Sequence, residues 1–143
     1  MYEYKCKVTR VVDGDTIDAL IDLGFDVKYQ SRVRLYGIDT PESRTRDKDE
    51  KARGKMASAF LKDSIDNGKT VVLQTKLSDS RGKFGRVLAS VVVDEVDINR
   101  AMIENHLAVA YHGQSKDDIE EEHLRNRDIL IEQGRFDPST VEK

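Results

Sequence analysis

The chain has 143 residues, of which 36% are charged and 38% hydrophobic, and its formal net charge is −3. This length favours one domain with a true hydrophobic core, and no apolar run approaches the roughly 20 residues of a membrane span. The single cysteine, Cys6, excludes an internal disulfide and a multi-cysteine zinc site. The first residues carry no apolar segment after their charges, unlike a signal peptide. We therefore expect a cytoplasmic protein without membrane contact, or the mature form of a secreted one.

Charge is distributed unevenly along the chain. Basic residues are frequent in residues 28–55 and 76–86, whereas acids concentrate in residues 117–122. A negative net charge is unusual for a domain that binds the nucleic-acid backbone. A basic face opposite an acidic helix can nevertheless accept a polyanion. Taken singly, most of these residues fit a solvated surface of mixed charge equally well.

The first forty residues predict three strands joined by short turns, because polar and apolar residues alternate there. An aspartate–glycine–aspartate turn separates the first two. The third must stop near Asp39, because Pro41 lacks a backbone donor and holds Thr40 in an extended conformation. The predicted strands cover residues 4–12, 16–23 and 27–38.

The rest of the chain predicts two more strands and three helices. Apolar residues at helical spacing indicate the first helix, Asp97 is typical of an N-cap for the second, and Gly134 ends the third. The polar residues 43–50 are expected to be mobile. The predicted helices cover residues 51–66, a short segment from 98, and 116–133. The predicted strands cover residues 70–75 and 87–93, with a short extended segment at 107–111.

Five strands with a helix between the third and the fourth are the plan of a Greek-key OB barrel. The sequence therefore predicts an α+β fold, mainly β, with a five-stranded OB barrel and three helices. We expect one domain over residues 1–136 and a disordered tail over residues 137–143. A monomer is the expected oligomeric state.

Charged residues gather where the third strand ends. Arg34 lies on one face of that strand, and Asp39 and Glu42 follow at the change from strand to loop, where catalytic groups are often placed. The earlier turn supplies two more acids, and Arg86 supplies a second fixed cation. Acids that can hold a hard divalent ion, together with two arginines, are the parts needed to cut a phosphodiester.

From about residue 5 to residue 134, the chain resembles the thermonuclease (staphylococcal nuclease-like) family. Three blocks carry the resemblance in the right order and spacing. Any one of them is weak evidence alone, but together they are specific. The blocks are VDGDT at residues 12–16, RLYGIDTPE at residues 34–42 and GKFGRVLA at residues 82–89.

The resemblance implies one Ca²⁺ ion beside the substrate phosphate. By position, Asp15 and Asp39 match its carboxylate ligands, and Thr40 matches the residue that gives a backbone carbonyl. Asp13 matches an acid behind these ligands, holding the turn or metal-bound waters. A hard ion with oxygen ligands and completing waters agrees with these residue types.

The resemblance also implies the catalytic residues. Arg34 and Arg86 match the arginines that hold the phosphate, and Glu42 matches the general base or the residue that orients the attacking water. The implied reaction is hydrolysis of DNA and RNA at the bond to the 5′ oxygen, leaving 3′-phosphates. The positions near the terminal phosphate and base of the substrate are Lys83, Phe84 and Tyr111.

Two other functions fit a barrel of this kind. One is a nucleic-acid-binding OB module with weak or no turnover, and the other is a small oligosaccharide-binding domain. A pure binding module would have little use for two arginines and three acids in these positions, so the enzyme is favoured. Tyr111 fits a packing residue at the barrel edge as well as a base-stacking residue.

Some residues depart from the family or have no assigned role. Phe84 stands where relatives carry a tyrosine, which predicts weaker substrate binding. His106 stands where a glycine often ends the second helix, which predicts positive φ at some strain. The three histidines show no metal-ligand spacing. We expect His123 to pack structurally on the last helix.

Overall fold

The computed structural model of the protein describes residues 2–75 and 87–141. In these ranges it contains eight strands and three α-helices. The strands are β1 (Tyr2–Asp13), β2 (Thr16–Asp22), β3 (Lys28–Leu35), β4 (Ile38–Asp39), β5 (Val71–Thr75), β6 (Val87–Val93), β7 (Val96–Asp97) and β8 (Val109–Ala110). The helices are α1 (Lys48–Asp66), α2 (Ile98–Glu104) and α3 (Lys116–Glu132).

Five of the strands close a barrel. β1 pairs antiparallel with β2 and β5, β2 pairs with β3, and β5 pairs with β6. A parallel pairing of β3 with β6 closes the ring. The interior is apolar, since inward-facing residues of β2, β3, β5 and β6 are fully buried, among them Ile17, Val33, Leu73 and Val91. The predicted α+β fold, an OB barrel with three helices, is confirmed.

The third strand ends earlier than predicted. β3 stops at Leu35, and Gly37 has φ +79°, a left-handed conformation that glycine adopts without strain. Asn99 of α2 donates from its side-chain amide to the Tyr36 carbonyl at 2.9 Å, which fixes this turn. The chain then leaves the barrel as β4, where Asp39 pairs with Val109 of β8.

The first helix begins three residues earlier than predicted, at Lys48. Asp47 is its N-cap, and its carboxylate accepts hydrogen bonds from the backbone N–H groups of Asp49 and Glu50. Part of the segment expected to be mobile is therefore helical. On its inner face, α1 buries residues such as Ala57 against the barrel.

The two later helices end on left-handed residues. Gly134 has φ +72°, and His106 has φ +61°, as the sequence predicts for that position. Beyond α3, Phe136 joins the core with 7% of its surface exposed. A short 3-10 helix, Pro138–Thr140, occupies part of the tail that was predicted to be disordered. The predicted domain limits stay a prediction.

Across the described ranges, no helix has both the length and the apolar character that crossing a membrane would require.

Candidate active site

The turn between β1 and β2 places Asp15 against the β4 segment. A Cβ on Gly14 would lie 2.7 Å from Ala57 Cβ, so only glycine lets the turn approach α1 this closely. The Asp15 carboxylate then accepts hydrogen bonds from the Thr40 backbone N–H at 3.3 Å and from the Thr16 hydroxyl at 3.0 Å. The orientation of Asp15 is therefore fixed from two sides.

Arg34 on β3 lies between two carboxylates. Its Nη1 is 2.8 Å from Asp15 Oδ2, and its Nη2 is 3.6 Å from Asp39 Oδ1. The Arg34 side chain is only 19% exposed, so water screens these charges less than it would on the surface. The fold thus brings together three residues from three separate segments, namely the β1–β2 turn, β3 and β4.

His123 on α3 also contacts Asp39. Its Nε2 donates to Asp39 Oδ2 at 2.8 Å, since an ionised carboxylate can only accept a hydrogen bond. The histidine side chain is 12% exposed. His123 lies on the last helix and is largely buried, as predicted, but its contact with a carboxylate of the site was not predicted. No sequence signal could have found this contact, because 84 positions separate the two residues.

The loop that carries Glu42 rests directly on α1. A Cβ on Gly54 would lie 2.7 Å from the backbone carbonyl oxygens of both Pro41 and Glu42, so a larger residue would push this loop away. The Glu50 carboxylate accepts a hydrogen bond from the Glu42 backbone N–H at 3.0 Å. Helix α1 thereby sets where the Glu42 backbone lies.

Asp13 supports the same loop from the barrel side. Its Oδ1 accepts a hydrogen bond from the Ser43 hydroxyl at 2.5 Å. The carboxylate lies close enough to Glu42 to raise the pKa of that residue. Asp13 thus contacts the loop next to Glu42, and its role behind the metal ligands stays a prediction.

The electrostatics of the site favour a cation. Partial burial raises the pKa of Glu42, and the negative charges of Asp15 and Asp39 raise it further. Carboxylates therefore crowd together here in spite of the positive charge on Arg34. Such a site gains free energy by binding a positive ion.

Arg34, Asp39 and Glu42 line one cleft of about 990 Å³, while Asp15 lies behind them and reaches it through its contact with Arg34. Tyr111 lies at its edge with 46% of its surface exposed, and its backbone N–H donates to the Gly37 carbonyl at 2.8 Å. Three predicted site residues lie outside the described residues, namely Lys83, Phe84 and Arg86. The residues that line the cleft include Arg34, Asp39, Thr40, Glu42, Tyr111 and His123.

The donor set suits a hard ion that the protein holds with few ligands. Asp15 and Asp39 flank the same guanidinium, and the Thr40 backbone lies beside Asp15. Within the described ranges, no three His, Cys, Asp or Glu side chains are arranged to hold a metal. Two carboxylates and a backbone carbonyl would leave coordination positions for water and for a ligand oxygen, as Ca²⁺ tolerates.

A protein-family model described as "Staphylococcal nuclease homologue" matches residues 32–130. The match covers well over half of the chain and includes Arg34, Asp39 and Glu42. The chain belongs to the family of staphylococcal nuclease homologues, and the resemblance stated from the sequence is confirmed.

Several bacterial proteins are similar in sequence. An uncharacterised protein of Bacillus anthracis is 40% identical over 102 residues, which cover 71% of this chain and 44% of that protein. The SPbeta prophage-derived endonuclease YokF of Bacillus subtilis is 36% identical over 103 residues, covering 71% and 33%. Endonuclease YncB of the same species is 34% identical over 103 residues, covering 71% and 46%. The chain thus spans less than half the length of these three relatives.

Proposed function

We propose that the chain is a calcium-dependent nuclease that hydrolyses phosphodiester bonds of DNA and RNA and leaves 3′-phosphate products. One observation carries the proposal: Arg34 contacts both Asp15 and Asp39 and lines the same cleft as Asp39 and Glu42. The family and the two relatives named as endonucleases support the class of reaction. Calcium, the two substrates and the products follow from the resemblance of the motifs.

The metal site would consist of the Asp15 and Asp39 carboxylates and the Thr40 carbonyl. Bound Ca²⁺ would neutralise negative charge that gathers on the phosphate oxygens in the transition state. The protein prepares the site by holding its carboxylates in place, Asp15 through Thr16 and Asp39 through His123.

Two guanidinium groups would hold the phosphate. Arg34 is already in the cleft, and its planar fork can donate two hydrogen bonds to phosphate oxygens. Arg86 follows in the third family block and would supply the second fork. Both arginines keep their charge at any working pH, so they stabilise charge on the equatorial oxygens throughout the reaction.

Glu42 would accept a proton from the attacking water or orient that water. The raised pKa of Glu42 makes its carboxylate a stronger base than that of an exposed glutamate. The contacts of its backbone with Gly54 and with the Glu50 carboxylate hold Glu42 at the cleft that it lines. Water attack on phosphorus then breaks the bond to the 5′ oxygen, and the phosphate stays on the 3′ side.

Contacts of this kind do not read sequence or sugar. Arginines and a metal ion recognise the phosphate, which DNA and RNA share. Tyr111 would stack on any base, because every base presents a π-face. Lys83 would meet a terminal phosphate as a point charge, and Phe84 would contribute packing without the hydroxyl that relatives have.

The test is cleavage of single-stranded DNA and RNA of equal length, in Ca²⁺ and in chelator. We expect the wild type to cut both in Ca²⁺ and neither in chelator, and end-group analysis to show 3′-phosphates. Glu42→Ala and Arg86→Ala should each lose most of this activity.

A matched control is Glu104→Gln, which removes an exposed carboxylate that pairs with Arg100 on α2, outside the cleft. It should cut at the wild-type rate. The proposal fails if wild type leaves both strands intact in Ca²⁺, or if Glu42→Ala cuts as fast as Glu104→Gln. Retained binding without cutting would instead indicate the nucleic-acid-binding module.

A further inference from the structure

A second cavity, of about 360 Å³, lies between the N-terminal half of α1 and the segment that follows α3. Its rim is formed by four cations, and its floor is apolar. We call it the lysine groove. The rim consists of Lys48, Lys51, Lys55 and Arg135, and the floor includes Met56 and Phe136.

The charges of the lysine groove are largely uncompensated. Lys62, on the same helix, pairs with Asp66 at 2.7 Å, whereas no salt bridge among the described residues holds the three groove lysines. Arg135 donates to the Asn105 carbonyl and the Gln133 amide oxygen, both neutral. One carboxylate lines the groove, Asp137, and it accepts its hydrogen bonds from Ser139. In a chain of net charge −3, such a cluster points to an anionic ligand.

The lysine groove is continuous with the cleft along the chain. Asp47 lines the cleft, and the next residue, Lys48, lines the groove. Between Glu42 and Asp47, the side chains of Arg44 and Arg46 are exposed. The exposed arginines thus stand in the chain between the acids of the cleft, Glu42 and Asp47, and place positive charge on the segment that leads to the groove.

We propose that the lysine groove binds the part of the nucleic-acid strand that extends beyond the scissile phosphate. The inference rests on the proposed nuclease function. The three lysines follow one face of α1 over about 10 Å, since a helix rises 1.5 Å per residue. Each of them can meet a phosphate of a strand that runs along this face. The sugars and bases of the strand can pack against the apolar floor. An acidic peptide would match the charge but would leave the continuity with the cleft unexplained.

The test compares substrates of two lengths. The variant Lys48→Gln/Lys51→Gln/Lys55→Gln keeps good helix formers on α1 and removes three charges. A matched control, Lys5→Gln/Lys7→Gln/Lys28→Gln, removes three charges from exposed positions on β1 and β3. For each protein, kcat/KM is measured on a thymidine dinucleotide and on a 20-nucleotide single strand, over a range of salt.

We expect the groove variant to lose about tenfold on the 20-mer and nothing on the dinucleotide. Its salt slope on the 20-mer should fall by about 2, since each phosphate contact to a single strand contributes about 0.7. Equal losses in both triple variants, or equal losses on both substrates, would overturn the inference. The inference would also be overturned if the groove variant cut the 20-mer as fast as wild type but bound an oligoglutamate peptide more weakly.

Failure of the inference is separable from failure of the proposed function. If wild type cuts neither substrate, the nuclease proposal fails. Fluorescence anisotropy of the labelled 20-mer then still tests the groove: weaker binding by the groove variant than by the control supports it, and equal binding overturns it.

Discussion

Two clusters of aspartate and arginine in this protein share the same closest contact, 2.8 Å, and have opposite compositions. In the rim cluster, formed by Asp15, Arg34 and Asp39, two carboxylates share one guanidinium, with a closest contact of 2.8 Å. In the helix cluster, two guanidinium groups share one carboxylate, with closest contacts of 2.8 and 2.9 Å. The helix cluster consists of Asp49, Arg53 and Arg127.

The ion pairs of the two clusters have different roles in the protein. The helix cluster joins α1 to α3, its Arg53 side chain is 7% exposed, and each charge finds its partner within the protein. The rim cluster opens into the cleft and has negative charge in excess, to which Glu42 adds. The closest distance, 2.8 Å in both, does not separate the two clusters. Asp128 lies 3.9 Å from Arg127 and offsets the positive charge of the helix cluster, whereas Glu42 adds to the negative charge around the rim cluster. This excess of negative charge makes the rim cluster the one suited to bind a cation.

The largest expected effect is a loss of activity when the rim cluster is mutated. Arg34→Ala should reduce cleavage of single-stranded DNA by about a hundredfold to a thousandfold in saturating Ca²⁺, because a preorganised donor to the phosphate is lost. The control is Arg32→Ala on the same strand, whose Nε contacts Asp18 at 2.9 Å on the exposed surface. Similar rates for both variants would contradict a special role for the rim cluster.

The next effect is a loss of stability when the helix cluster is mutated. Asp49→Ala should lower the free energy of unfolding by about 2–3 kcal/mol, because it removes the ion-pair partner of the buried Arg53 guanidinium and leaves Arg127 only Asp128, 3.9 Å away. Urea denaturation measures this. Asp128→Ala removes only an exposed partner 3.9 Å from Arg127, and should change the stability by less than about 0.5 kcal/mol. Cleavage by Asp49→Ala below its melting range should stay near wild type.

A smaller effect concerns the support of the rim cluster by α3. His123→Leu should weaken Ca²⁺ binding by about tenfold, because Asp39 loses the hydrogen bond that orients it. His123→Gln, which can still donate, should recover part of the affinity. Isothermal titration calorimetry gives the affinities.

The control for this prediction is Asn126→Ala, which removes a different α3 hydrogen bond, to the Ala108 carbonyl. If it weakens Ca²⁺ binding as much as His123→Leu does, then general loosening of α3 explains the loss.

The smallest effect follows from the pKa of Glu42. Because folding raises this pKa, the folded state holds the proton more tightly than the unfolded state, and stability falls as pH rises through the interval between the two values. Glu42→Gln cannot ionise, so in chelator it should melt higher than wild type at pH 7. The difference should vanish below about pH 4, the range of an unfolded glutamate. Equal melting temperatures at both pH values would refute the shift.

Local patterns were enough to predict the barrel, and the reasons are physical. Alternation of apolar residues and the turn at Asp13–Asp15 depend on neighbours in the chain, so the strands were found with small errors at their ends. The end of β3 at Leu35 was not predicted, because the turn that follows it is held by a distant residue. Asn99 donates to the Tyr36 carbonyl from 63 positions further along the chain. The N-terminal extension of α1 was missed because the charges of the segment concealed the capping role of Asp47.

The residues of the candidate site also form two groups, one that the sequence predicts and one that only the tertiary structure reveals. Arg34, Asp39 and Glu42 lie within one block of nine residues, so the motif by itself predicts that they share a site. His123 and Glu50 reach the site only through tertiary packing of α3 and α1, and nothing near them in sequence indicates their contacts.

The close approach of Gly54 to the Pro41 and Glu42 carbonyls has a consequence for redesign. The hydrogen bonds that hold this loop come from α1 and β1, because Glu50 accepts from the Glu42 backbone N–H and Asp13 accepts from the Ser43 hydroxyl. Insertions of different length or charge between Ser43 and Asp47 should therefore change the charge beside the cleft while the Glu42 backbone stays in place.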